Sequence, residues 1–204
     1  MTSPVDATPL PGPARPGGRS ARVRADVLRA VGEELAERGY DALTIDAVAA
    51  RSGVHRTTLY RRWKTVDALL VDLLEANRDD TWAPADTGAL TTDLIALNRE
   101  VRTAALEEPS VMSAVIAASF RSPAAAAAQT RLLDDRYERC AVVVTRAIAR
   151  GELPADTDPH RLLMAATSPL YHQLFLRRQP MTEAEADRWA TTTAAAAEAG
   201  AFQA

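Results

Sequence analysis

The stretch at residues 44–70 constrains the fold more than any other part of the chain, and it reads TIDAVAARSGVHRTTLYRRWKTVDALL. Thr44 precedes a short segment of periodic apolar residues, and its hydroxyl can accept a hydrogen bond from an unpaired amide of a first helical turn. The apolar residues at positions 45, 48 and 49 share one face of such a helix. Gly53 then supplies the positive φ that a sharp turn can require. The pattern predicts a short helix that ends in a tight turn.

A second short helix is predicted from about His55 to Trp63. Leu59 and Trp63 are four residues apart and therefore face the core, while Val54 is expected to be buried where the two helices cross. The remaining surface of the second helix carries arginines, threonines and a tyrosine. This layout is typical of a helix-turn-helix, in which the second helix enters the major groove with its N-terminal residues nearest the base edges.

The candidate DNA-binding residues follow from the chemistry of that groove. Arginine suits guanine, and threonine offers both a hydroxyl and a methyl group. Tyr60, Arg61 and Lys64 are better placed for phosphates, which set register rather than sequence. His55 could equally cap its own helix. The predicted DNA-binding set is Arg22, Thr44, His55, Arg56, Thr57, Thr58, Tyr60, Arg61 and Lys64.

The distribution of charge favours a DNA contact over the alternative that these arginines are merely solvated. Residues 15–64 carry eleven basic and six acidic side chains, a net charge of +5. The whole chain carries −3, so the remainder carries about −8. A basic segment on an acidic protein is the electrostatic footprint of a local contact with a polyanion.

The motif resembles the signature of the tetracycline-repressor-like (TetR-type) regulators. The matching elements are Gly53-Val54, Thr58-Leu59-Tyr60, Arg62-Trp63 and Leu69. The resemblance implies a homodimeric bacterial DNA-binding protein with an N-terminal three-helix domain, a helical ligand-sensing C-terminal domain and a palindromic double-stranded DNA operator. One departure is Val66, where the family often has a lysine that meets a phosphate; Lys64, the only lysine, lies two residues earlier.

Composition and motifs argue against an enzyme, a metal protein and a membrane protein. The single Cys140 cannot form an internal disulfide, which fits a reducing cytoplasm. His160 and His172 have no partners with catalytic or metal-ligand spacing. No apolar leader and no run of about 18 apolar residues is present. We predict a cytoplasmic protein without cofactor, metal or membrane contact; the alternatives are a helical protein-binding adaptor or an enzyme in the C-terminal half.

The rest of the chain shows only helical patterns, so the fold class is predicted to be all-α with about nine helices. The predicted organisation is a disordered Pro- and Gly-rich arm at 1–19, a DNA-binding domain at 20–64 and a helical ligand-sensing and dimerisation domain at 65–204. The predicted helices cover about 20–38, 45–52, 55–63, 66–82, 87–107, 109–120, 123–150, 159–178 with a kink at Pro169, and 182–198.

The C-terminal half is predicted to dimerise and to bind a small molecule. By resemblance, the last two helices pair with their mates into a four-helix bundle; the predicted interface residues are Leu162, Ala166, Leu170, Leu174, Phe175 and Trp189, although ordinary intrachain core would give the same pattern. Ligand pockets are mostly apolar with a few polar anchors. The predicted pocket for an unknown apolar or amphipathic effector comprises Trp82, Leu97, Arg102, Met112, Ile116, Phe120, Tyr137 and Tyr171.

Overall fold

The fold is all-α, as the sequence predicts. The computed structural model describes residues 18–76, 82–108 and 110–203. Within them lie nine α-helices: α1 Gly18–Arg38, α2 Ile45–Ser52, α3 Arg56–Arg62, α4 Val66–Ala76, α5 Leu90–Leu106, α6 Val111–Ser119, α7 Pro123–Ala149, α8 Pro159–Tyr171 and α9 Glu183–Glu198. A 3-10 turn at Tyr40–Ala42 follows α1, and a π-helical turn at His172–Leu176 follows α8. None of the described helices combines the length and the apolar character needed to cross a bilayer.

The helix starts are set by side-chain caps that the sequence predicts. Thr44, Ser122 and Asp158 each accept a hydrogen bond from a backbone amide in the first turn of the following helix. Thr182 and Glu185 form a reciprocal capping box at the start of α9. Because the first amides of a helix lack intrahelical partners, each cap satisfies a donor that would otherwise stay unpaired. The cap predicted at Thr44 is confirmed, and the other three lie at the predicted starts of α7, α8 and α9.

Helix α5 begins at Leu90, three residues later than the start predicted at residue 87. The amide and the hydroxyl of Thr87 both donate to Oδ1 of the buried Asp93, at 2.6 and 2.7 Å. The amide of Leu90 donates to Glu152, which lies beyond the end of α7. Because Asp93 holds Thr87 in a turn, the helix starts only after that turn, and periodicity alone carries no signal of it.

The structure bears on the predicted ends of two other helices, of which one ends earlier than predicted. The described part of α4 ends at Ala76; residues 77–81 lie outside the described residues, and Trp82 is not helical. The helix predicted to run to about residue 178 keeps α-helical geometry only to Tyr171 and then widens into the π-helical turn. Pro169 lies within the last turn of α8 and has no amide hydrogen, so the helix loses one of its backbone bonds just before its geometry changes.

Two main hydrophobic clusters hold the helices together. The first contains Leu35, Leu59 and Leu70 of α1, α3 and α4, and it continues into Val115 of α6 and Ala128 of α7. The second joins helices α5, α7, α8 and α9 through residues such as Leu94, Val144, Leu163 and Ala194. The packing of the first four helices therefore extends well beyond residue 64, the predicted end of the DNA-binding domain. Residues 1–17 of the predicted arm lie outside the described residues.

The interface predicted on α8 requires a correction. Leu162, Ala166 and Leu170 are fully buried inside the single chain. On the same side of α8, the amide of buried Asn98 donates to the carbonyl oxygens of Ala166 and Ala186, at 3.1 Å each, and so ties α5 to both α8 and α9. A helical period identifies a buried face but not which chain covers it, and here the same chain covers it. These three residues are therefore not available to a partner.

The other predicted interface residues lie at or near the surface. Leu174 packs on an interior cluster and Phe175 is half-buried, while Trp189 of α9 is 43% exposed. Two further large apolar side chains of this region, which the sequence analysis did not select, are also exposed: Met164 at 44% and Leu176 at 71%. The exposed apolar surface of α8 and α9 thus differs from the face that the sequence pattern indicates.

Gly32 lies inside α1 where that helix packs on α6, and it provides a prediction about stability. A Cβ at this position would lie 3.8 Å from Cγ2 of Val111, which is an ordinary van der Waals contact. Glycine in a helix interior costs about 0.5–1 kcal/mol relative to alanine, because it loses more backbone entropy on folding. We therefore expect Gly32→Ala to raise the free energy of unfolding by about 0.5–1 kcal/mol in a urea titration.

The matched control for that variant is Gly53→Ala. Gly53 has φ 68°, a conformation that strains alanine, so this substitution is expected to lower the free energy of unfolding. A loss of stability in Gly32→Ala would contradict the prediction and would mean that α1 and α6 have no room for a methyl group between them.

Candidate nucleic-acid interface and ligand cavity

Helices α2 and α3 form the predicted helix-turn-helix. Gly53 joins them in the left-handed conformation, with φ 68° and ψ 10°. Leu59 of the second helix and Trp63 directly after it are buried, and Val54 in the turn packs half-buried against the same core. One face of α3 is therefore fixed to the other helices, while the opposite face is left to solvent.

The solvent side of α3 carries most of the predicted DNA-binding side chains. Tyr60 is 48% exposed, a high value for a large aromatic residue. Thr58 is half-buried, and all other members of the set are exposed: Arg22, Thr44, His55, Arg56, Thr57, Tyr60, Arg61 and Lys64. Their exposure leaves each of them accessible, and their contact with DNA stays a prediction.

Two members of the set also have a structural role as helix caps. Thr44 accepts a hydrogen bond from the amide of Ala47 at the start of α2. His55 caps α3, because its Nδ1 lies 3.4 Å from the amide nitrogen of Thr57 and 2.9 Å from the Thr57 hydroxyl oxygen. Capping is the alternative role predicted for His55 from the sequence, and the structure contains this cap.

The arginines of the first four helices fall into paired and unpaired groups. Arg24 and Arg51 form close ion pairs with Asp72 and with Glu34 and Glu37. Among the described residues, the exposed basic side chains of the predicted interface form no ion pair or hydrogen bond with any carboxylate. These side chains are Arg22, Arg56, Arg61 and Lys64. No carboxylate of the described residues therefore neutralises the positive charge of the interface, whereas the charges that hold the helices together are paired.

A hydrogen-bonded cluster fixes the end of α3 to α1 and α4. Asp72 accepts from Arg24 at 2.6 Å and from the indole nitrogen of Trp63 at 2.8 Å, and Arg62 stacks over the Trp63 ring at 4.9 Å. Burial alone raises the pKa of Asp72, but the bonds from Arg24 and Trp63 outweigh it and leave the pKa below its usual value. The sequence analysis missed this cluster, since Arg24 and Asp72 are 48 positions apart.

Val66 occupies the position where the resemblance leads us to expect a lysine. Its side chain is half-buried and packs against the core of the first four helices, so it is unsuited to a phosphate contact at the protein surface. Lys64, two residues earlier, is exposed. A cationic contact at this end of α3 therefore has Lys64 as its candidate.

A cavity of about 360 Å³ lies between helices α4 to α8. Most of its wall is apolar. Helix α6 supplies four apolar side chains to it: Val111, Met112, Val115 and Ile116. Six of the eight predicted pocket residues line it: Trp82, Leu97, Met112, Ile116, Tyr137 and Tyr171. A volume of this size suits a small organic molecule. Their contact with a ligand stays a prediction.

The two other predicted pocket residues lie elsewhere, which corrects the prediction. Arg102 faces the start of α9, where its Nε donates to the carbonyl oxygen of Met181 at 2.6 Å. Phe120 follows the last residue of α6 and is 77% exposed. Arg102 follows the lining residue Val101 and so points to a different side of α5, while Phe120 is four residues after the lining residue Ile116 but lies past the end of α6.

The polar groups of the cavity are mostly ones that the sequence analysis missed. Glu100 accepts from the indole nitrogen of Trp82 at 2.8 Å, and Arg136 stacks over the same indole at 4.8 Å. Tyr137 shares a hydrogen bond of 3.1 Å with Thr167. The sequence gives one sign of these polar cavity residues: single polar residues interrupt the apolar pattern of α5, α7 and α8.

Two titratable groups of the cavity are neutral at physiological pH. Burial raises the pKa of the Cys140 thiol to about 11 and that of Tyr171 to about 12. The Tyr171 hydroxyl forms no hydrogen bond within the described part of the chain. Tyr171 therefore contributes a neutral hydroxyl, with no partner among the described residues, to the lining of the cavity.

Comparisons with known proteins agree with this architecture. Residues 27–73 match the family model of bacterial regulatory proteins of the tetR family. Residues 84–193 match the model of the tetracyclin repressor-like C-terminal domain. The first match includes the whole helix-turn-helix, and the second includes the cavity helices α5 to α8.

Individual proteins are similar along most of the chain. The uncharacterized HTH-type transcriptional regulator Rv1556 of Mycobacterium tuberculosis is 32% identical over 90% of this chain and 88% of its own length. The DNA-binding transcriptional repressor TetR of Mycobacteroides abscessus is 31% identical, over 80% of this chain and 85% of that protein. The crystal structure of the TetR family regulator SCO0332 superposes with a TM-score of 0.67 at 31% identity, covering 85% of this chain and 97% of that one. The chain therefore belongs to the tetR family and is a helix-turn-helix transcriptional regulator.

Proposed function

We propose that the protein is a homodimeric repressor that binds a palindromic operator and loses affinity for it when a small apolar or amphipathic molecule occupies the cavity. The observation that carries the proposal is the unneutralised positive charge on the solvent side of α3. Arg56 and Arg61 pair with no carboxylate in the described ranges, on a chain that is acidic as a whole. A cationic helix face of this kind suits the major groove of DNA. Since its partner is DNA, we assign it to the bacterial cytoplasm.

The proposed dimer rests on the exposed apolar side chains of α8, of the π-helical turn that follows it and of α9. Met164, Leu176 and Trp189 are between 43% and 71% exposed. Large exposed apolar side chains gain free energy when a partner buries them. A second copy related by a two-fold axis would cover them with the same residues, and it would bring a second α3 into place for the other half of a palindrome.

The proposed response to an effector rests on residues that line the cavity and also lie on, or next to, the first four helices. Leu74 of α4 lines the cavity, two residues after Asp72, which accepts from Trp63 at the end of α3. Val111 of α6 also lines the cavity and contacts the Gly32 position of α1. A ligand that fits only one placement of α4 and α6 favours the corresponding placement of α3, and DNA then disfavours the ligand to the same extent.

The test of the proposed function is selection from random double-stranded DNA with the full-length protein. We expect a palindromic sequence whose half-sites lie about one helical turn, roughly 10 base pairs, apart. The affinity for this sequence should fall steeply with salt, because the released counterions supply much of the binding free energy. Failure to enrich any sequence at low salt would overturn the proposal and would favour a protein-binding adaptor.

A further inference from the structure

The chemistry of the cavity wall restricts the kind of molecule that can occupy it. All four lining side chains from α6 and three of the four from α5 are apolar, while α7 adds Leu132 and Leu133 beside Tyr137, Cys140, Gln129 and Arg136. Glu100 and Arg136 are the two charged residues among those that line it, one negative and one positive. Both contact the Trp82 indole: Glu100 accepts a hydrogen bond from its nitrogen, and the Arg136 guanidinium lies over its ring. An ionised ligand would lose its hydration against a mostly apolar wall, which is costly.

The hydroxyl of Tyr171 is the polar group best suited to bind a ligand here. Tyr137 already shares a hydrogen bond with Thr167, and Thr167 in turn donates to the carbonyl oxygen of Leu163 at 3.0 Å. Tyr171 lines the same cavity one helical turn after Thr167, but its hydroxyl bonds to no described residue. Tyr171 is half-buried, and a phenol hydroxyl that is shielded from bulk water without a partner costs free energy.

We propose that the effector is an uncharged molecule with an apolar, ring-sized body and one hydroxyl or carbonyl oxygen that bonds to the Tyr171 hydroxyl. The apolar body lies against Met112 and Ile116 of α6, and the oxygen lies between α7 and α8. This inference rests on the proposed function, since it names the chemical class of ligand that the regulator senses. It excludes carboxylates, phosphates and ammonium compounds as the preferred effectors.

The test uses three probes that share one ring system: naphthalene, 2-naphthol and 2-naphthoate. Their dissociation constants for the full-length protein are measured by equilibrium dialysis at pH 7. We expect 2-naphthol to bind about three- to ten-fold more tightly than naphthalene, which corresponds to one net hydrogen bond. We expect 2-naphthoate to bind more weakly than naphthalene, because its charge must be desolvated.

Two matched variants assign the preference to one hydroxyl. In Tyr171→Phe, the advantage of 2-naphthol over naphthalene is expected to fall below about two-fold, while naphthalene itself binds as it does to the unmodified protein. In Tyr137→Phe, which removes a hydroxyl that Thr167 already engages, the advantage is expected to persist. Thermal unfolding of both variants checks that they fold.

Several outcomes would overturn the proposal. They are tighter binding of 2-naphthoate than of 2-naphthol, an advantage of 2-naphthol that survives in Tyr171→Phe, and no binding of any of the three probes. Operator binding is measured separately without any probe. If the hydroxyl preference holds but no operator is found, the proposed function fails and the ligand class stands. If an operator is found but the hydroxyl preference is absent, the ligand class fails and the proposed function stands.

Discussion

Replacing both Arg56 and Tyr60 with alanine is expected to weaken binding to the selected operator by at least about 30-fold. Both side chains are exposed on α3 and form no hydrogen bond or ion pair within the described residues, so neither contributes much to folding. A specific contact from such a side chain is worth about 1–3 kcal/mol of binding free energy, and the two losses together come to about 2–6 kcal/mol. Fluorescence anisotropy at a fixed salt concentration measures the change.

The control for the loss of charge is Arg29→Ala. Arg29 is also exposed, but it pairs with Glu33 on α1 at 2.8 Å, so its positive charge is already balanced. We expect this variant to bind the operator within about two-fold of the unmodified protein, since an exposed pair of this kind contributes little. If the double variant binds DNA as well as the control does, α3 is not the helix that contacts the operator.

Introducing glutamate at both Met164 and Trp189 is expected to convert the dimer into monomers and to lower operator affinity by at least about ten-fold. Both side chains are apolar and more than 40% exposed on α8 and α9. Four carboxylates facing one another across a two-fold axis would be desolvated and would repel, which costs several kcal/mol. Sedimentation equilibrium reports the mass, and anisotropy reports the loss of affinity that follows when the two α3 helices bind independently.

The matched control for the dimer is Leu162→Ala on α8. Leu162 is fully buried in the single chain, so truncation leaves a cavity and lowers the free energy of unfolding by about 2–5 kcal/mol. The mass of the folded protein is expected to stay that of a dimer. If the double glutamate variant remains dimeric, the two copies meet on another surface. If Leu162→Ala dissociates them, the buried face of α8 contributes to the contact after all.

Features that depend on neighbouring residues could be predicted from the sequence. A cap, a left-handed glycine and a buried pair four residues apart each follow from a local pattern, as at Thr44, Gly53 and Leu59 with Trp63. The helix-turn-helix is a sum of such local features, so its location and its exposed face follow from about twenty residues. The same reasoning identifies the last helix through its Thr182 and Glu185 box.

Features that depend on distant partners could not be predicted. Asp72 contacts Arg24 from 48 positions away, and Arg102 bonds to Met181 from 79 positions away. In each case the sequence shows a charged residue on a helix and gives no sign of its partner. The same limit explains the error on α8, since Leu162 lies on an apolar face whether its own chain or a second copy covers it.

The continuous core of α1 to α4 with α6 and α7 has a consequence for protein engineering. Biosensors are often assembled by grafting the DNA-recognition segment of one regulator onto the sensing segment of another. In this protein such a graft would cut through a packed interface, because Val115, Ala118, Ala125 and Ala128 complete the core of the first four helices. A working chimera would have to carry these four side chains over with the recognition segment, or re-optimise the junction around them.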